Sequence, residues 1–335
     1  MASFSQFGND LYTGKRSVDF VGKRRIWFTI AILLVVAALA VPLIKGGGDF
    51  GAGFKFGIQF RGGSQFQISA ANSLDTIKGV AAVHSVVPSA VVDITTVGTD
   101  GVQVQTNQLT AADTIKVTAA LANTYGVKTT DVTSSFIGAT WGGDITQQAV
   151  IGLIVFVILA ALFMAIYFRT WKMSMAAIIS LAHDLIITAG VYALTGFEVT
   201  PATVIGFLTI LGYSLYDTVV VFDKIRENTA ELGDESTRTF GEAVNLAVNQ
   251  TLVRSINTGV VAALPVAAIL FIGSFILGAD TLRDISLALL TGTLIGTYST
   301  PFVASPLYAT FRQGEAAIQK RDKRVRQLRS KSVAA

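Results

Sequence analysis

Apolar positions gather into six long runs, at residues 26–44, 145–168, 173–197, 199–222, 255–279 and 285–311. A helix rises about 1.5 Å per residue, so roughly 20 apolar residues cross about 30 Å of hydrocarbon. The runs therefore predict six transmembrane helices. Pro301 and Pro306 fall near the end of the last one, where a missing backbone donor predicts a stop or a kink. The third run is interrupted by His183 and Asp184, and the fourth holds one ionisable group, Asp217.

The stretch 45–144 reads differently. Gly46, Gly47, Gly48, Gly51 and Gly53 make a flexible lead-in. Alternation over 57–70, 85–97, 102–106 and 127–137 predicts strands, with Gly98-Thr99-Asp100-Gly101 as a hairpin turn. Residues 74–83, capped by Ser73 or Asn72, and 111–125, capped by Thr110, predict helices. The order βαββαβ is that of a ferredoxin-like fold. The expected fold class is thus a polytopic α-helical membrane protein of six transmembrane helices, with one α+β ferredoxin-like extracytoplasmic domain between helices 1 and 2.

Composition fits this class: of 335 residues 51% are hydrophobic and only 14% charged, against about a quarter charged in soluble domains. There is no cysteine, so disulfides and thiol chemistry are excluded, and His84 and His183 are too few and too far apart for the common metal motifs. No paired-carboxylate cleft or Ser-His pair suggests an enzyme. The glycine run 46–57 lacks a following Gly-Lys-Ser/Thr and reads as a linker, not a phosphate loop. No metal, cofactor or nucleic acid is expected, and the lipid bilayer is the first partner.

Basic residues are one-sided. Lys15, Arg16, Lys23, Arg24 and Arg25 precede the first run; Arg169 and Lys172, then Lys224, Arg226, Arg238 and Arg254, fill alternate connections. The tail adds Arg312, Lys320, Arg321, Lys323, Arg324, Arg326, Arg329 and Lys331. The positive-inside rule places both termini in the cytoplasm. Residues 1–25 and 312–335 are then cytoplasmic, 26–44 the first span, 45–144 the outer domain and 145–311 the other five spans. A rival reading takes the basic start and Ala38-Leu39-Ala40 as a cleavable signal peptide; the apolar run continues to Ile44, long enough to stay as an anchor.

A charge at the centre of a membrane helix costs on the order of 2.5–3.5 kcal/mol, so such groups are usually functional or paired. Asp217, about 8 Å inside Phe222, has Tyr213 and Ser214 one turn back, placed either to bond its carboxyl or to line a wet crevice. Arg254, expected at the start of the fifth helix in the same leaflet, is either a topological anchor or a partner for Asp217, with Asn257 one turn further in. His183 and Asp184 are either a satisfied buried pair or a proton relay. Arg283 and Asp284 read as interfacial, and Gly292 and Gly296 as a close helix-packing pair.

Several segments resemble one family. Phe56-Gly57-Ile58-Gln59-Phe60-Arg61-Gly62-Gly63 resembles the Gly-Ile-Asp-Phe-x-Gly-Gly signature of the SecD/SecF translocase subunits, with Gln59 where Asp is common. Residues 212–228, from Gly212-Tyr213-Ser214-Leu215-Tyr216-Asp217, are similar to the fourth-helix motif of its SecF branch, with Tyr216 where Asn often stands. Residues 251–258 and 296–306, and Ala182-His183-Asp184, fit as well. The resemblance implies an accessory subunit of bacterial protein export in the plasma membrane, partnering SecD and the SecYEG channel and capturing the translocating unfolded polypeptide. It also implies an RND-like bundle in which Asp217 and Arg254 couple to protons, with Asp184, His183, Asn257, Tyr213 and Ser214 as candidate relay groups. The expected route from bundle to outer domain runs through the first two helices. The alternatives are half of an RND-type small-molecule or ion transporter, and a scaffold that transduces nothing.

Overall fold

In a computed structural model, which describes residues 4–168, 170–230, 237–274 and 280–334, helices dominate. Six are long and apolar enough to cross a membrane: Arg24–Lys45, Thr140–Phe168, Trp171–Thr195, Pro201–Ala230, Phe240–Gly273 and Leu282–Gln313. In chain order the helices are α1 (Phe4–Tyr12), α2 (Arg24–Lys45), α3 (Ile58–Arg61), α4 (Thr76–Val86), α5 (Ala111–Tyr125), α6 (Ala139–Phe168) and α7 (Trp171–Thr195). They continue with α8 (Pro201–Ala230), α9 (Phe240–Ala268), α10 (Asp280–Ser299), α11 (Ser305–Gln313) and α12 (Ala316–Ala334). Arg169 and the end of the fifth run, 275–279, lie outside the described residues.

Two differences from the sequence reading matter. α8 runs on to Ala230 and α9 already starts at Phe240, so both reach well beyond the apolar runs 199–222 and 255–279. A capping box starts α9, with the Thr239 hydroxyl taking the Glu242 N–H and the Glu242 carboxylate the Thr239 N–H. Ala243, Val244, Ala247, Val248 and Leu252 then bury one face of it. Arg254 therefore sits about four turns inside α9, not at its start. At the other end, Pro301 and Pro306 do not break the last span. A π-helical segment, Thr300–Ala304, joins α10 to α11 and absorbs the missing donors.

The module between α2 and α6 has the expected βαββαβ order. Strands β2 (Gly63–Ile68), β3 (Val92–Val97), β4 (Gly101–Thr106) and β5 (Val132–Ile137) form an antiparallel sheet in the order β3-β4-β2-β5. Its core of Phe66, Ile68, Val102 and Val104 packs against Val83 of α4 and Val117, Leu121 and Tyr125 of α5. The run 57–70 is not one strand: residues 58–61 coil into α3, and the chain enters β2 through Gly62 and Gly63 at φ 74° and 141°, conformations that favour glycine. Asp75, rather than Ser73 or Asn72, caps α4, its carboxylate accepting from the N–H groups of Ile77 and Lys78.

Two further strands, β1 (Lys55–Phe56) and β6 (Glu198–Val199), pair in parallel and stitch the entry to this module onto the turn between α7 and α8. The bundle itself is closest-packed between α8 and α10. A Cβ added at Gly292 would lie 2.3 Å from Ile210, one at Gly206 2.8 Å from Ala288 and one at Gly296 3.1 Å from Ser214. Small residues let these backbones approach, as the Gly292–Gly296 spacing predicts. By contrast α2 and α6 present exposed apolar side chains such as Ile32, Leu33, Ile158 and Ile166, the surface that hydrocarbon covers.

Candidate functional site

Three membrane helices meet at Asp184, which is fully buried. The α8 residue Ser214 donates to its Oδ2 at 2.6 Å and the α10 residue Ser299 to the same oxygen at 2.9 Å. His183 Nδ1 lies 3.0 Å from Oδ1, and His183 Nε2 lies 2.7 Å from the Tyr298 hydroxyl. With the carboxylate ionised, Nδ1 carries the shared proton and Nε2 accepts from Tyr298. The glycine at 296 is what admits Ser214 to this point, because a side chain there would press on it.

Asp217 lies three residues beyond Ser214 and so on the same face of α8, one turn along. It is 5% exposed. Ser255 of α9 donates to its Oδ1 at 2.8 Å, while Oδ2 is buried and has no hydrogen-bond partner among the described residues. Beside it Thr218 and Thr300 bond across α8 and the π-helical turn at 3.1 Å. Two carboxylates thus occupy successive turns of one polar seam, Asp184 saturated with donors and Asp217 half-satisfied.

The other candidates are placed less closely. Arg254 forms no ion pair with Asp217 among the described residues; it is exposed and its Nη2 reaches the Tyr216 hydroxyl at 3.4 Å. The reason is helical: Ser255 points inward to Asp217, and a step of about 100° turns Arg254 outward. Asn257 is exposed on α9, outside the seam, and Tyr213 is half-buried. Ser214 bonds Asp184, not Asp217. Asp284 is buried within the protein, 5% exposed, and accepts from Thr200 Oγ1 at 3.2 Å, while Arg283 stacks over Phe197 at 4.9 Å. Sequence reasoning left out Tyr298, Ser299, Thr300 and Ser255. For the first three the signal was the consecutive hydroxyls of Thr297-Tyr298-Ser299-Thr300 in a spanning helix.

A six-span bundle with an α+β module after its first helix and a buried carboxylate–hydroxyl seam defines a class of polytopic membrane protein. The family model described as "Protein export membrane protein SecD/SecF, C-terminal" matches residues 116–314. Among curated relatives, protein translocase subunit SecF of Mycobacterium tuberculosis is 41% identical, the match covering 97% of this chain and 74% of the relative. SecF of Streptomyces coelicolor is 39% identical over all of this chain and 87% of its own. The crystal structure of SecDF, a translocon-associated membrane protein from Thermus thermophilus, superposes with a TM-score of 0.74 at 29% identity, over 89% of this chain. The chain spans 39% of the length of that SecDF protein. The chain belongs to the SecD/SecF family of protein export membrane proteins.

Proposed function

We propose that the chain is an accessory subunit of the bacterial protein translocase that uses the proton motive force to help draw polypeptide across the plasma membrane. In this reading it stands with a SecD-like chain beside SecYEG, with both termini in the cytoplasm and a ferredoxin-like module outside that meets the unfolded polypeptide. The observation that carries the reading is Asp217, a buried carboxyl in a membrane helix with one oxygen unpartnered. A proton falling through 100 mV releases about 2.3 kcal/mol, enough to bias two packings of a bundle. Asp217 and Asp184, linked through one face of α8, are the groups that would take up and pass on that proton.

The same geometry supports a partner helix. Arg254, Tyr216 and Asn257 are exposed on a flank of α8 and α9 within spanning segments. A guanidinium facing lipid there is costly, and a second chain packed on this flank would shield it. That favours a SecD-bound subunit over a lone transporter half. The test is reconstitution: vesicles depleted of this chain should lose the export increment that a proton gradient supplies, and regain it only when this chain and SecD are restored together. An unchanged increment on depletion would leave the scaffold reading.

A further inference from the structure

The turn between α7 and α8 is a knot of tethers. Gly196, at φ 73°, ends α7, and Pro201 starts α8 five residues later. On the module side, Lys55 and Phe56 pair with Glu198 and Val199, and the Gly57 N–H donates to the Val199 carbonyl at 3.0 Å. Gly57 comes so close that a Cβ there would lie 3.1 Å from Thr200. Independently, Gln105 of β4 donates through Nε2 to Glu198 Oε2 at 2.8 Å, with Gln105 3% and Glu198 7% exposed. On the bundle side, Thr203 Oγ1 donates to the Glu198 carbonyl at 3.2 Å, and Thr200 to Asp284 of α10. Lys45, at the end of α2, donates to the last carbonyls of α7, Ala193 and Leu194, at 2.8 and 2.7 Å.

We propose that Glu198 is a positioning residue of the transport cycle, fixing the outer module to the head of α8 so that movement at Asp217 reaches the module directly. The module also meets α2 and α6, where Gly53 packs on the Pro42 carbonyl and Gly142 on the Phe60 carbonyl, but neither helix carries Asp217. Here the link is two backbone-paired residues plus a buried amide–carboxylate bond. Asp217 sits about 24 Å along the same rigid helix from Pro201, so a tilt or rotation of α8 moves its head and Glu198 together. A buried carboxylate is otherwise an expensive way to make a turn; its hydrogen bond to Gln105 of the module gives it a use.

This inference rests on the proton-driven reading above, and the experiment separates the two. Gln105→Glu brings two buried carboxylates to hydrogen-bond distance and, at a pH high enough to ionise both, should open the joint by repulsion. Adding Glu198→Gln reverses the pair and should close it again. Two readouts are taken on the full chain with its translocase partners: hydrogen exchange of the Gly57 amide, which donates to Val199, and the proton-gradient-dependent increment of export. Gln105→Glu should speed exchange and lose the increment, and the reversed pair should recover both. Asp217→Asn should lose the increment with slow exchange intact. A Gln105→Glu protein whose exchange stays slow, or speeds up while the increment remains, overturns the role of Glu198. An Asp217→Asn protein that keeps the increment overturns the proton reading instead.

Discussion

Ser255 donates to Asp217 across the α8–α9 interface at 2.8 Å, and it does so from the position next to Arg254, which faces out of the bundle. The relationship divides two roles that a single ion pair would merge. Asp217 is held by a neutral hydroxyl, so either protonation state can stay in place. The cation waits on the exposed flank, one helical step away.

Asp184 depends on its hydroxyl donors. Ser299→Ala removes one of two donors to Oδ2 inside a fully buried cluster, and the change should cost about 1–3 kcal/mol. Thermal unfolding of the purified chain in detergent measures it. Removing Ser214 as well should cost more than the two single losses added, since each hydroxyl covers for the other.

Glycine changes on α8 and α10 should go opposite ways. Gly292→Ala forces a Cβ to 2.3 Å from Ile210 and should destabilise by about 1–3 kcal/mol, the range for overpacking. At Gly212 nothing lies within 4 Å, so Gly212→Ala should be neutral or stabilise by up to about 1 kcal/mol through helix propensity. Unfolding of both variants in parallel decides this.

Arg254→Lys tests whether the exposed cation is an anchor. Both residues satisfy the positive-inside rule, so an anchor would tolerate the change. Arg254 and Tyr216 share a flank, where a planar fork can bond two groups and an ammonium cannot match it. Export driven by the proton gradient should fall while the amount inserted in the membrane stays constant. Wild-type export would return the residue to the anchor reading.

Much of this was legible in the sequence. Runs of apolar residues mark all six spans, because hydrocarbon leaves the chain few options. The order of the module, the Thr110 cap and the Gly292–Gly296 seam were equally readable. The length of α9 was not: counting charges over 225–250 hides the face of Ala243, Val244, Ala247 and Val248, which the Thr239–Glu242 box announces. Nor was the division of labour at the site. Ser214 lies one turn from Asp217, but helix packing turns its hydroxyl to Asp184, and only tertiary structure sets that choice. The joint at Glu198 joins residues from distant segments and leaves no local pattern.

Acid should loosen the end of the bundle that carries the chain termini. Arg312 and, less strongly, Lys172 hydrogen-bond Glu315 and hold its carboxyl below the ordinary carboxylate range. A depressed value contributes stability that is full above the unfolded value and disappears as pH falls through the folded one. Glu315 is partly exposed, so solvent screening keeps the effect small. Unfolding midpoints measured from neutral pH down should fall less steeply for Glu315→Gln than for the unmodified chain.

In the proposed function, titration of Asp217 drives export. Asp217→Asn keeps the shape and still accepts from Ser255 but carries no exchangeable charge. The direct measurement is polypeptide export into membrane vesicles holding this variant and SecD, with and without an imposed proton gradient. Normal insertion, normal association with SecD and no response of export to the gradient are the expected result. A response equal to that of the unmodified chain would contradict it.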